Sequence, residues 1–391
     1  MSYPKIFLKK NEDRRIRSGH LWIFSNEIEK TDGNPESGDI VSVYDHRDEI
    51  VAQGFYNKNS LISVRILSRN IIDDLQKLFA DRLANAYKLR KSFYPSRDSF
   101  RLVFSESDYL PGLIIDKYNK TFVLQVYSAG MEKNIQLIIR ILKDEYSAEN
   151  IFAMNEEHFR VMEGLSTDNT IYYGKIDNEI IEDGSIKYKV DFASGHKTGF
   201  YFDQSDNRFF IEKICKEKSV LDAFCNSGGF GLHSLKSGAD RVTFVDSSAA
   251  AIELVKVNLE LNMFTDKYDL VTSDVFDYLS DCINGNKNFD VVMIDPPAFA
   301  KNKKNINQAK KGYEKLNRLA LTLINNYGFL VTSSCSYHLP ESEFISIINS
   351  AAVKTGREIQ LIHFNRASFD HPALPAMHET SYLKFAIFMV R

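Results

Sequence analysis

The chain has 391 residues, 44% hydrophobic and 26% charged, which suits two or three ordinary globular domains. A net charge of −3 excludes a uniformly basic nucleic-acid binder but not a local basic patch. The four cysteines, Cys215, Cys225, Cys282 and Cys335, fit no zinc or redox spacing and make no disulfide framework. With no membrane-length apolar run and no signal-peptide core in residues 1–10, a cytoplasmic protein is expected.

Residues 1–70 read as short strands and turns. Residues 40–44 follow a Gly38-Asp39 turn, and residues 60–67 alternate with period two. A basic cluster precedes them: Lys5, Lys9, Lys10, Arg14, Arg15 and Arg17. It runs into the segment 18–24, which holds the lone tryptophan, Trp22. Basic residues beside an aromatic are one footprint of RNA contact, with Lys9, Arg14 and Arg15 the candidates. A lone Trp more often packs into a small core, and that is the reading favoured for Trp22.

Residues 71–93 place Leu75, Leu78, Phe79, Leu83, Ala86 and Leu89 at helical spacing, and Tyr94-Pro95-Ser96 ends the pattern. The helix leads into a central α+β unit. Its strands are expected at 100–104, 113–116 and 122–127, with a helix at 131–142 and further strands near 151 and at 179–182. Ser105-Glu106-Ser107-Asp108 reads as a turn between strands.

The pattern changes near residue 187. Residues 187–192 alternate, and a stretch rich in glycine, aromatic and polar residues, 195–208, precedes a helix at 208–215 capped by Ser205 or Asp206. Residues 220–230 read Val-Leu-Asp-Ala-Phe-Cys-Asn-Ser-Gly-Gly-Phe: a strand ending in Asp222, a loop with Gly228 and Gly229, then a helix. Strand, glycine loop and helix N-terminus together form a site for a small polar ligand. The spacing is not G-x-G-x-x-G and no P-loop lysine follows, which disfavours NAD and nucleoside triphosphates.

Four more strands follow, alternating with helical segments. Residues 241–246 end in Asp246, an acid placed to hold a ribose diol. Residues 268–274 end in Asp274, 289–295 lead into Asp295-Pro296-Pro297, and 328–334 lead into Cys335. This alternation predicts a doubly wound parallel sheet with its polar residues at the carboxyl ends of the strands. Lys301, Lys303, Lys304, Lys310 and Lys311 come directly after the Asp-Pro-Pro step, a position that suits a phosphate backbone, with a solvated face as the alternative.

These motifs also carry a resemblance. Asp222 to Phe230, Asp246, Asp274 and Asp295-Pro296-Pro297 resemble the motif series of class I S-adenosylmethionine-dependent methyltransferases. Together with Thr332 to Ser336, Asp370-His371-Pro372 and Tyr382-Leu383-Lys384, they resemble the large-subunit ribosomal RNA cytosine-C5 methyltransferases with an N-terminal PUA domain. The resemblance implies an α/β chain of three parts. These are a PUA-like β-barrel RNA-binding domain (1–70), a central α+β domain (71–186) and a Rossmann-like methyltransferase domain (187–391).

The resemblance further implies S-adenosylmethionine as cofactor, held by Asp222, Phe224, Asn226, Ser227, Gly228, Gly229, Asp246, Ser247, Asp274, Val275, Asp295 and Pro296. Lys197, Thr198 and Phe200 belong to the segment expected over the methyl donor. Ribosomal RNA is the implied partner, held by Lys9, Arg14, Arg15, Lys301, Lys303 and Lys304, and a homodimer is a family-level expectation.

The chemistry expected on this resemblance is methyl transfer to C5 of a cytosine. That carbon is too weak a nucleophile until a thiolate adds at C6. Cys335 is the candidate thiol, and Asp295 the group at N3 or the 4-amino group, where charge builds. Cys225 lies in the cofactor loop, where only backbone contact is expected. Ala298 stands where one group of RNA cytosine methyltransferases carries a second cysteine. The one-cysteine pattern is similar to that of RNA uracil-C5 methyltransferases, which keeps uracil open. An RNA-binding protein with a vestigial cofactor fold is the reading from a different class.

Overall fold

The computed structural model describes residues 3–192, 198–299 and 303–391. The chain packs as two units. One comprises Met1–Ile181, Val190–Phe202 and Phe369–Thr380; the other comprises Glu182–Lys189, Asp203–Ser368 and Ser381–Arg391. The first two expected domains therefore share one compact unit, and a late segment of the chain returns to it.

The first unit opens with a six-stranded sheet. Its spatial order is Trp22–Phe24, Ile62–Ser68, Ile50–Tyr56, Ile40–Tyr44, Lys5–Leu8 and Ile28–Asp32. Period-two alternation sends Ile6, Leu8, Val41, Val43, Val64 and Ile66 into one core, joined by Met377 from the late segment. A five-stranded sheet follows, in the order Thr170–Tyr173, Asn150–Ala153, Thr121–Val126, Leu113–Tyr118 and Phe100–Phe104, with helices Leu75–Phe93 and Ala129–Tyr146 sharing its core. The expected strand at 179–182 forms, as Glu179–Asp183, but lies outside this sheet. Its place is taken by Thr170–Tyr173, a four-residue, largely exposed edge strand too short to show period-two alternation. The helix expected at 71–93 begins at Leu75 rather than at 71, because Asp74 accepts a hydrogen bond from the Lys77 amide (3.0 Å) as its N-cap.

Several buried charges in this unit are paired, while the buried Lys117 ammonium rests on the carbonyls of Asp98 (2.8 Å) and Asn119 (2.5 Å). Arg90 is fully buried and grips Asp108 with two hydrogen bonds, 2.5 and 2.7 Å, while donating a third to the carbonyl of Asp370 at 2.7 Å. Arg101 binds Asp116 in the same two-pronged way, 2.8 Å on each side. Arg65 reaches Glu106 and Glu163, both at 3.0 Å. Ser105–Asp108 is thus more than a turn: it is a short 3-10 helix whose acids receive two arginines. Trp22 packs, as expected. Its indole N–H donates to Glu106 (2.8 Å) and the Arg65 guanidinium lies over its ring.

The second unit holds a seven-stranded sheet: β1 (Ser219–Ala223), β2 (Arg241–Asp246), β3 (Tyr268–Thr272), β4 (Phe289–Ile294), β5 (Ile324–Ser334), β6 (Ile359–Asn365) and β7 (Lys384–Val390). The spatial order is β3-β2-β1-β4-β5-β7-β6, with β1 to β5 parallel and β7 antiparallel to both neighbours. The central strands are apolar runs because helices cover them; Leu221, Val245, Val292 and Leu330 pack with Leu279, Leu316, Phe344 and Ile348.

Register decides where function can sit. Ala223 lies opposite both Val245 and Ile294, and Ile294 opposite Thr332. The residues just beyond these rungs, Phe224, Asp246, Asp295 and Ser333, therefore share one edge of the sheet, where doubly wound sheets bind ligands. One expected helix moves. It runs over Ser205–Ile211, not 208–215, after a 3-10 turn at Phe202–Gln204. Neither proposed cap serves it: the Ser205 hydroxyl donates to Asp183, and the Asp206 amide donates to the Ser368 hydroxyl.

Candidate active site

Beyond β1 the chain turns sharply, with Phe224 (φ 63°), Asn226 (φ 47°) and Gly228 (φ 79°) all left-handed. The Gly228 amide closes this turn onto the Cys225 carbonyl at 2.7 Å. At Gly228 and Gly229 a side chain is blocked from within the fold: a Cβ would lie 3.2 Å from Val255 and 2.5 Å from the Arg208 guanidinium. Helix Gly229–Lys236 starts directly after the turn. Ser227 is buried, and its carbonyl accepts from the Asn258 side chain at 3.0 Å. Cys225 is buried, with its thiol pushed well up by burial, so it is structural.

Two acids flank the turn. Asp222 is buried and accepts from the Gly231 amide at 2.8 Å. Burial pushes its pKa up to about 7, with the Gly231 hydrogen bond working the other way and the Asp295 charge adding to the rise. Asp246, at the tip of β2, is half-buried. One carboxylate oxygen accepts from the Asn226 amide (3.0 Å) and the other from the Ser248 amide (2.9 Å), which ties the two loops together. Ser247 is exposed beside it. Asp274 is exposed at the end of β3 and spends Oδ1 on the Phe276 and Asp277 amides as N-cap of helix Val275–Asn284, while Val275 is buried.

Asp295 follows β4. Its Oδ1 accepts from the Ser333 hydroxyl at 2.5 Å and its Oδ2 from the Gln204 amide at 3.1 Å. Part of the residue stays open to solvent, yet burial of the carboxylate pushes its pKa up to about 6. The Ser333 hydrogen bond opposes that rise and the Asp203 charge adds to it. Pro296 is buried, and its carbonyl lies 4.0 Å from the half-buried Cys335 thiol, which follows β5 directly. The Tyr313 hydroxyl ties down the serines on either side of Cys335, with Ser334 at 3.0 Å and Ser336 at 2.9 Å.

Asp222, Asn226, Ser227, Gly228, Gly229, Asp246, Asp295, Pro296 and Cys335 thus fall on one edge of one sheet. Thr198 and Phe200 do not join them in this unit. Both lie in the first unit, where the Thr198 hydroxyl donates to Asp116 and Phe200 packs on Phe202. Lys197 and Lys301 lie outside the described residues. Lys303 opens the 3-10 turn Lys303–Asn305, and Lys304 is exposed in it. In the first unit, Lys9 is exposed with its ammonium on the Asn26 carbonyl (2.7 Å), and Arg14 is exposed on the helix Asp13–Arg17. Arg15 is exposed too, held at the Trp22 carbonyl (3.1 Å).

Sequence reasoning passed over Gln204, Arg208 and Ser333. Arg208 is buried against Gly229 and bonded to Asp183 at 3.3 Å. A signal existed: a helix opening with Gln204, Ser205, Asn207 and Arg208 all inward is too polar for a plain core face.

Three comparisons bear on this site. Residues 6–69 match a family described as PUA-like domain, and residues 202–329 match one described as Conserved hypothetical protein 95. The chain is 37% identical to the ribosomal RNA large subunit methyltransferase I of Aliivibrio fischeri over 385 residues, covering 97% of both chains. It is also 37% identical to the protein of that name from Vibrio vulnificus over 387 residues, again 97% of each. A solved structure, SMU.776, described as a methyltransferase complexed with SAH, superposes with TM-score 0.85 over 100% of both chains at 20% identity, a likeness of fold.

These findings correct one expectation. Methyl transfer to C5 of a cytosine through a thiolate adduct does not stand, because the relatives' shared name specifies large-subunit RNA and methyl transfer but no base and no ring atom. The match over 202–329 carries no chemistry either.

Proposed function

Because this chain belongs to the ribosomal RNA large subunit methyltransferase I family, we propose that it transfers the methyl group of S-adenosylmethionine to a base of large-subunit ribosomal RNA. The observation that carries the reading is the row of acids and small residues at the carboxyl edge of β1, β2 and β4. S-adenosylmethionine, when bound, supplies a methyl group activated on a sulfonium. The donor set suits its parts. Asp246 takes the ribose hydroxyls, the turn from Asn226 to Gly229 faces the methionine end, and Asp274 with buried Val275 lies where the adenine belongs.

Asp295 and Cys335 face the acceptor base. With a pKa of about 6, Asp295 is mostly ionised at neutral pH and is placed to accept a hydrogen bond or a proton from the base as the methyl group arrives. Lys9, Arg14, Arg15 and Lys304 supply positive charge for RNA phosphates. The test is transfer of tritiated methyl from the donor by the purified protein. Label is expected in large-subunit RNA and not in small-subunit RNA, and Asp295→Asn is expected to slow it by about 10²–10⁴-fold. Stabilisation by S-adenosylhomocysteine with no label in any RNA would keep the cofactor and overturn the substrate.

A further inference from the structure

We propose that Lys384 is a positioning residue for Cys335, holding the turn that carries the thiol and favouring its ionised form. This rests on the reading that Cys335 faces the acceptor base. It does not depend on which atom of that base is methylated.

The geometry comes from the antiparallel pairing of β5 with β7. Lys384 is the first residue of β7 and lies directly opposite Ser334, the last residue of β5. Cys335 is the next residue along. Lys384 is buried, 4% exposed, and its ammonium donates to the carbonyl of Ser336 at 2.6 Å and to that of Tyr382 at 2.7 Å. The Ser336 bond fixes the Ser336–Tyr337 peptide, one residue beyond the thiol. Two carbonyls account for two of the three ammonium donors. Among the described residues no carboxylate lies within ion-pair distance of Lys384. A buried ammonium without a counter-charge is costly, and this one lies one rung from the residue that carries the thiol.

The charges around the thiol define what it does. Asp295, whose neighbour Pro296 lies against the thiol, opposes a thiolate, Glu341 is itself paired with Arg366 at 2.6 Å, and the Tyr313 hydroxyl, bonded to both flanking serines, is neutral. Lys384 supplies the positive charge. Burial pushes its pKa down to about 8, and the Cys335 and Glu341 charges act to raise it. Coupling of this kind is reciprocal: whatever the thiolate does for the ammonium, the ammonium does for the thiolate.

The test reads the thiol and not methyl transfer, so its failure is distinct from failure of the proposed activity. Iodoacetamide alkylation of Cys335 is followed against pH by peptide mass spectrometry in the full chain and in Lys384→Met. The midpoint is expected to rise by about one pH unit, making alkylation about tenfold slower below it. Lys384→Arg should keep the midpoint near the original. A folded Lys384→Met protein with an unchanged midpoint overturns the proposal. Should Lys384→Met fail to fold, the coupling is read from the other side, by acetylation of Lys384 with acetic anhydride against pH in Cys335→Ser. A lower Lys384 midpoint there supports the proposal, and an unchanged one overturns it.

Discussion

The arginine clusters of the first unit and the ligand edge of the second bury their carboxylates in opposite ways. In the first, Arg90–Asp108, Arg101–Asp116 and Arg65 with Glu106 and Glu163 are complete ion pairs, and the arginines' forked geometry satisfies the acids. In the second, Asp222 and Asp295 are enclosed with neutral donors as hydrogen-bond partners, and their pKa values rise to about 7 and about 6. A paired buried charge holds structure in place. A carboxylate buried among neutral donors costs stability at neutral pH and marks the place where chemistry or a ligand is accommodated.

Three experiments would break or sharpen this contrast. The largest effect is expected in the first unit. Arg90→Ala leaves Asp108 buried without its cation and should cost about 3–5 kcal/mol in denaturant unfolding; a loss below 1 kcal/mol would show that Asp108 is satisfied without it. Next comes Asp246→Ala, which removes the acid at the tip of β2. Calorimetry should show S-adenosylhomocysteine binding weaker by about 1.5–3 kcal/mol; unchanged affinity would remove Asp246 from the site.

The smallest effect concerns pH. A carboxyl whose folded pKa lies above its unfolded value contributes stability that is present below pH 4 and lost as pH rises through the folded value. For Asp222 that window runs from about 4 to about 7, and for Asp295 from about 4 to about 6. Asp222→Asn should therefore flatten the decline in melting temperature between pH 5 and 7. A decline of the same slope in Asp222→Asn would show that other groups set it.

Much of the second unit was legible in the sequence because parallel strands covered on both faces are written as apolar runs, and each run stops at a polar residue on the same edge. Asp222, Asp246, Asp274, Asp295 and Cys335 could be read from that rule alone. Its partners could not. Gln204 and Ser333 meet at Asp295 across 91 and 38 residues of chain, and no local periodicity encodes such a meeting. The helix start at Ser205 was misplaced because Ser205 and Asp206 look like caps, yet both are engaged by distant groups, Asp183 and Ser368. The acids of Ser105–Asp108 looked like turn residues for the same reason, since Arg65 and Arg90 lie well before them in the chain.

The carbonyl that Arg90 grips has a consequence in time. Asp370 lies 280 residues after Arg90, and its segment, Phe369–Thr380, is packed as part of the first unit. A chain made from its N-terminus at roughly 5–20 residues per second takes on the order of 14–56 s to supply that partner. Through that interval the guanidinium has Asp108 and the Arg101 carbonyl but not the Asp370 carbonyl, and Met377 has yet to enter the apolar core of the six-stranded sheet. The part of the molecule that is made first is therefore among the last to be finished, and a nascent chain released early leaves that region unsealed for chaperones and proteases to find.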